Sequence, residues 1–160
     1  MKIRKTIKED LAEVMKIYRS AQQFMIETGN PTQWGTFYPD EEMVIRDIEN
    51  GFSHVCIRDG EIVAVFYFDG NADEADYRKI DGAWLNDEPY GVVHRIASKA
   101  GSHAGGFCID WCVSECKNLR IDTHDDNLPM QRLLKRLGFT FCGRIELEHY
   151  GARIAYQKCV

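Results

Sequence analysis

The sequence predicts an α/β fold, a mixed and mainly antiparallel twisted sheet with helices on both faces. Short β-branched or alternating segments recur along the chain, among them Val92–Ala97 and Leu119–Thr123, as strands do. Elsewhere apolar residues fall at helical spacing, most clearly Met130, Leu133, Leu134 and Leu137 at i, i+3, i+4 and i+7. Between these two kinds of segment, the stretch from Val92 to Phe139 reads strand, glycine-rich loop, helix, strand, Asn-headed turn, helix, and the rest of the chain reads as its support.

In chain order, Lys2 to Lys5 is a short first strand, and Thr6 with Glu9 forms a candidate capping box for a helix that turns Leu11, Val14, Tyr18, Ala21 and Met25 inward. Gly29-Asn30-Pro31 ends that helix. The segment Thr32 to Pro39 is aromatic and irregular, and Asp40 then caps a helix holding Met43, Val44 and Ile48. His54–Ile57 and Ile62–Phe68 are strands joined across Asp59-Gly60, a hairpin signal. Asp69 to Pro89, polar with seven acidic residues, reads as a surface excursion with a turn of helix near Glu74–Arg78, anchored by Trp84 and Leu85.

After the strand Val92–Ala97 comes the loop Ser98–Gly106 with three glycines, then a helix from about Gly105 to Lys117 whose apolar face carries Phe107, Trp111 and the cysteines. A glycine-rich loop between a strand and a helix lets backbone N–H groups converge on an anion, and the helix N-terminus adds partial positive charge. Leu119, Ile121 and Thr123 alternate with Arg120 and Asp122 as in a strand with two differing faces. Asn127 caps the next helix, Pro129 sits in its first turn and Gly138 follows its end. Phe139–Leu147 and Arg153–Cys159 are two closing strands.

A chain of 160 residues with no repeat, linker or low-complexity tract is expected to be one domain, residues 1–160. The formal net charge of -5 argues against a nucleic-acid partner, which calls for a basic footprint. Arg132, Lys135 and Arg136 cluster on one helix, as either a solvated face or a meeting point for phosphates. No apolar run approaches the ~20 residues of a membrane-spanning helix, so no membrane partner is expected. MKIRKTIKEDL lacks the apolar core of a signal peptide. Six cysteines without an export signal read as reduced thiols and a cytoplasmic protein. Cys108, Cys112 and Cys116 lack the usual Cys-x-x-Cys metal spacing and read as small buried hydrophobes, so no metal is expected. Asp122–Asp126 (DTHDD) has the composition of a metal cluster, but capping and turn chemistry account for it. A Cys–His nucleophile at Cys142 has no supporting spacing.

The element order, together with the run from Asn127 through Met130, Leu133 and Leu134 to Gly138-Phe139, resembles the GNAT superfamily of N-acetyltransferases over nearly the whole chain. The match is tightest over Asn118–Phe139 and looser over His94–Gly106. The resemblance implies acetyl-CoA as cosubstrate. Its pyrophosphate would sit on Gly101, Ser102, His103, Ala104, Gly105 and Gly106, and its pantetheine arm along Arg95, Ile96 and Ala97. Asn127, with Met130 and Leu134 on the same helix, would lie near the arm or the thioester. Trp34, Phe37 and Tyr38 become candidate contacts for the acceptor, a small-molecule or peptide amine, and a homodimer is an available arrangement.

The family reaction is direct attack of an amine on the acetyl thioester. His94 is the first candidate base, with Tyr150 and His124, both in expected turns, as alternatives. Two positions depart from the family pattern: the loop lacks its basic first residue, and Leu134 stands where many members place a tyrosine as general acid. These departures keep open a non-catalytic or regulatory acyl-CoA-binding protein of the same fold.

Overall fold

The chain is described by a computed structural model covering residues 1–160. Its strands are β1 (Lys2–Lys5), β2 (Ser53–Arg58), β3 (Glu61–Ala72), β4 (Asp81–Gly82), β5 (Tyr90–Ser98), β6 (Asn118–Thr123), β7 (Thr140–Leu147) and β8 (Gly151–Cys159). Its helices are α1 (Leu11–Glu27), α2 (Glu41–Glu49), α3 (Ala104–Cys116) and α4 (Leu128–Arg136). The strands form one open sheet in the order β1-β2-β3-β5-β6-β8-β7-β4. Pairing is antiparallel at β1–β2, β2–β3, β4–β7, β6–β8 and β7–β8, and parallel at β5–β6. This is the mixed, mainly antiparallel α/β architecture that the sequence predicts. The chain clusters into two compact units, Met1–Phe68 with Val93–Ile109 and Asp69–Val92 with Asp110–Val160.

In the first unit, Asp59 and Gly60 turn the β2–β3 hairpin with φ of 52° and 80°, the positive pair that a type I′ turn requires. Val14, Met15, Ile17 and Tyr18 of α1, Val44 of α2 and Trp34 from the segment between them bury against Val55, Val65 and Ala97. Successive strand residues face opposite ways, so Cys56 and Phe66 point to the other face. There Cys56 lies beside Cys108 of α3. Helices thus cover both faces of these strands.

The start of α1 differs from the expected capping box. The Thr6 hydroxyl is buried against that of Ser53 at 2.7 Å, so it has no role as a cap. A 3-10 turn, Lys8–Asp10, leads into the helix, and Asp10 accepts the Ile7 N–H at 2.9 Å while gripping Arg4 at 2.6 and 3.0 Å. The hydrogen bond from Arg4 holds the Asp10 carboxyl below its ordinary value. A depressed carboxylate contributes stability that is present above the ordinary value of ~3.9 and is lost as pH falls through the folded value. Asp10→Asn is therefore expected to lower stability at neutral pH and to flatten the acid limb of a stability–pH curve measured by urea denaturation. An unchanged acid limb would refute this role.

In the second unit, Asp69–Pro89 is more ordered than an irregular excursion. β3 continues to Ala72, a 3-10 turn spans Ala75–Tyr77, and β4 pairs with β7 through Asp81–Arg144 and Gly82–Gly143. That last pair is a close backbone approach: a Cβ on Gly143, at φ 146°, would collide with the Asp81 carbonyl oxygen. The main anchor is Tyr77 rather than Leu85, which is half exposed. The Tyr77 hydroxyl donates to Asp122 at 2.5 Å, and its carbonyl accepts the Trp84 indole N–H at 2.8 Å. Arg120, expected on a polar strand face, is buried: its guanidinium lies 4.3 Å from the Trp84 ring centre and 4.0 Å from that of Tyr90. Stacking on two rings is a favourable way to bury a guanidinium.

Candidate active site

The residues that the sequence singles out on β5 have diverging roles. His94 is half-buried, its ring 5.6 Å from that of Tyr67. Arg95 is in the left-handed region at φ 51°, within a strand. Its guanidinium, expected near a cofactor, is turned inward: Nε and Nη2 each donate to an Asp47 oxygen at 2.8 Å, and Nη1 donates to the Tyr38 hydroxyl at 2.9 Å. Only the backbone of Arg95 is left for a ligand. Ile96 is half-buried, whereas the Ala97 side chain joins the core around α1.

The expected glycine loop is shorter than its sequence suggests, because Ala104, Gly105 and Gly106 form the first turn of α3. The turn proper is Lys99–His103, closed by Ser102 N–H donating to the Lys99 carbonyl at 3.1 Å. Gly101 and His103 take positive φ, 70° and 55°. Ser102 is buried, its Oγ accepting the Ala104 N–H at 3.3 Å and its carbonyl accepting Arg58 Nη1 at 2.9 Å. Ser102 thus shapes the turn and takes the Ala104 N–H, which leaves the Gly105 and Gly106 amides of the first helical turn for an anion. Of the remaining α3 residues, Cys108, Ile109, Cys112 and Val113 are buried, while Phe107 is exposed rather than part of the apolar face.

Of the acceptor candidates, Trp34 is a core residue, 5.9 Å from Tyr18 and 6.0 Å from Tyr38, and Phe37 is 84% exposed. Tyr38 holds Arg95. The structure therefore brings together Trp34, Tyr38, His94 and Arg95 with Tyr18, Asp47 and Tyr67. The sequence reading missed Asp47. Its signal was an acidic residue on the inward face of α2 beside Val44 and Ile48, where a carboxylate calls for a partner.

In the second unit, Asn127 caps α4 as expected, its Oδ1 accepting the Met130 N–H at 3.2 Å. Met130 is half-buried, but Leu134 is fully buried, a core residue rather than a lining one. Arg132, Lys135 and Arg136 are exposed. The acidic run before Asn127 is spent on turn chemistry: His124 Nδ1 accepts the Asp126 N–H at 3.0 Å, and Asp125 pairs with Arg144 at 2.8 and 2.9 Å. Tyr150 is half exposed in the β7–β8 turn, where its carbonyl accepts from Arg153 at 3.0 Å. The Cys142 thiol is buried and pushed up by that burial, the opposite of an activated nucleophile.

The strand order with its parallel β5–β6 pair, and the glycine-containing turn from β5 into α3, agree with the fold that the sequence resemblance implies. No family model matches the sequence, and no curated protein matches it. Among solved structures, a GNAT-family acetyltransferase from Streptococcus agalactiae 2603 is 30% identical, matching 99% of this chain and 95% of its own with a TM-score of 0.91. The chain belongs to the GNAT family of acetyltransferases. More distant structures share the fold. A GNAT-family acetyltransferase from Listeria monocytogenes is 17% identical, with 99% and 94% of the two chains covered and a TM-score of 0.72. A phosphinothricin acetyltransferase of the superfamily from Sinorhizobium meliloti, in complex with acetyl-CoA, is 16% identical, with 99% and 88% covered and a TM-score of 0.64. No helix is long and apolar enough to cross a membrane.

Proposed function

We propose that this protein transfers an acetyl group from acetyl-CoA to a primary amine of a small molecule or peptide, by direct attack in a ternary complex. The observation that carries this reading is the junction of β5 and α3. There a tight turn delivers the N-terminus of a 13-residue helix with Gly105 and Gly106 in its first turn. Glycines keep side chains away from those amides, and the amides with the helix dipole suit the pyrophosphate of a coenzyme A. The acetyl-CoA complex of the Sinorhizobium structure supports the same cosubstrate.

The parallel ladder of β5 with β6 spans Gly91–Leu119 and Val92–Arg120. The proposal assigns the stretch of β5 beyond it, Arg95 to Ala97, to the pantetheine arm, and the backbone N–H groups there to the carbonyl oxygen as it gains charge. His94 is the proposed base that takes a proton from the amine, directly or through water. The resemblance adds Asn127 and Met130 at the head of α4 to the residues assigned to the arm. The fully buried Leu134 cannot act as an acid, but a thiol with a reference pKa near ~8.5 leaves readily at neutral pH. Positioning of the two substrates then supplies much of the rate.

Calorimetric titration with acetyl-CoA, with free CoA as the comparison, is expected to show micromolar binding. A thiol-release assay across primary amines is expected to show turnover. Gly106→Glu sets a carboxylate against the pyrophosphate and is expected to weaken acetyl-CoA at least about tenfold, equivalent to ~1.4 kcal/mol. Asn127→Ala loses the α4 cap and is expected to weaken it less. Unchanged binding in both variants would show that the assigned groove is wrong. Binding without turnover on any amine would favour the acyl-CoA-binding reading, which the apolar Leu134 supports.

A further inference from the structure

We infer that Arg95 is a positioning residue: its side chain, held by Asp47 and Tyr38, fixes a left-handed kink in β5 that aims the backbone of Ile96 and Ala97 at the acyl donor. This rests on the acetyl-transfer reading above. An arginine has no local reason to adopt φ 51° within a strand, and such a residue persists only where its surroundings over-determine it.

Here they do. The Tyr18 hydroxyl donates to the Arg95 carbonyl at 2.9 Å. Asp47 takes Nε and Nη2 as a two-pronged pair at 2.8 Å each, and the Tyr38 hydroxyl accepts Nη1 at 2.9 Å. The guanidinium carbon also stands 4.6 Å from the Tyr67 ring centre. These four partners come from α1, the segment after it, α2 and β3, and the Arg95 and Asp47 side chains are only 12% and 11% exposed. Backbone and side chain of one residue are therefore clamped independently.

A regular strand needs none of this. Buried ion pairs contribute little net stability compared with apolar side chains of similar shape, and one attested use is to impose a single geometry. A local departure from strand geometry re-aims the groups that follow it, here the N–H groups of Ile96 and Ala97. The clamp also makes the donor strand depend on α1 and α2, which flank Trp34, Phe37 and Tyr38, the contacts that the resemblance suggests for the acceptor. Disturbing it should lower the rate of transfer while sparing affinity for acetyl-CoA, whose phosphates the α3 turn is proposed to hold.

The test uses Arg95→Lys, which keeps the charge but loses the planar fork, and Tyr18→Phe, which removes one hydroxyl and keeps the ring. For each, kcat, both KM values, the acetyl-CoA Kd and the Ile96 and Ala97 amide resonances are measured. Arg95→Lys is expected to lower kcat about a hundredfold, the scale of a misplaced reacting group, and Tyr18→Phe about tenfold. Both should leave the acetyl-CoA Kd within about twofold and shift the two amide resonances. Active wild type with kcat unchanged in Tyr18→Phe and in a folded Arg95→Lys overturns the inference alone. Shifted acetyl-CoA Kd at unchanged kcat also overturns it, since the clamp would then serve binding. Wild type that transfers acetyl to no amine overturns the functional reading. In that case unmoved Ile96 and Ala97 resonances in the variants also overturn the clamp itself.

Discussion

Tyr77→Ala is expected to destabilise the protein by about 3–5 kcal/mol, the range for deleting a large buried aromatic side chain. Tyr77 is fully buried, packs 5.2 Å from Trp84 and 6.2 Å from Tyr90, and donates its hydroxyl to Asp122. Removing it opens a cavity under the Asp69–Pro89 segment and takes a hydrogen bond from a carboxylate. It also frees the turn whose carbonyl holds Trp84, one of the two rings that sandwich Arg120. Burial pushes the Tyr77 phenol well above its ordinary value, so the hydroxyl remains a donor across the working pH range. Tyr77→Phe keeps the ring and should cost only about 1–3 kcal/mol, the range for a lost buried partner. Urea unfolding of both variants checks this, and equal losses would mean that the ring's packing is unimportant.

Asp47→Ala is the second large effect, an expected loss of about 3–5 kcal/mol from leaving one member of a buried ion pair alone. Burial raises the Asp47 carboxyl above its ordinary value and Arg95 pulls it back down, so each charge is tolerable only with the other present. The asymmetry gives a second check. Asp47→Ala combined with Arg95→Met removes both charges and is expected to recover much of the loss, since apolar replacements of buried pairs are often neutral. Thermal melts of the single and double variants decide it. A double variant as unstable as the single one would show that the kink, rather than the charge, carries the stability.

Most of the fold could be read from local patterns. The period of Met130, Leu133, Leu134 and Leu137, the Asn127 cap and Gly138 bounded α4 within a residue, and Asp59-Gly60 placed the β2–β3 hairpin. Caps and turns are legible because their partners lie three or four positions away. The Thr6 cap failed for the opposite reason: Ser53, 47 residues on in the chain, competed for the same hydroxyl.

The candidate site was less legible. The sequence by itself carried the resemblance to the family, and short-range propensity and spacing set the order of elements, the turn into α3 and the Asn-capped α4. The tertiary structure alone decided which of the named side chains serve the core. Ala97, Trp34 and Leu134 are buried in it, Ser102 closes a turn, and Arg95 faces Asp47 instead of a ligand. The Arg95 partners Tyr18, Tyr38 and Asp47 lie 77, 57 and 48 positions away. No local pattern encodes such pairings, because an ion pair buried between helix and sheet is selected by the packing that brings its two halves together.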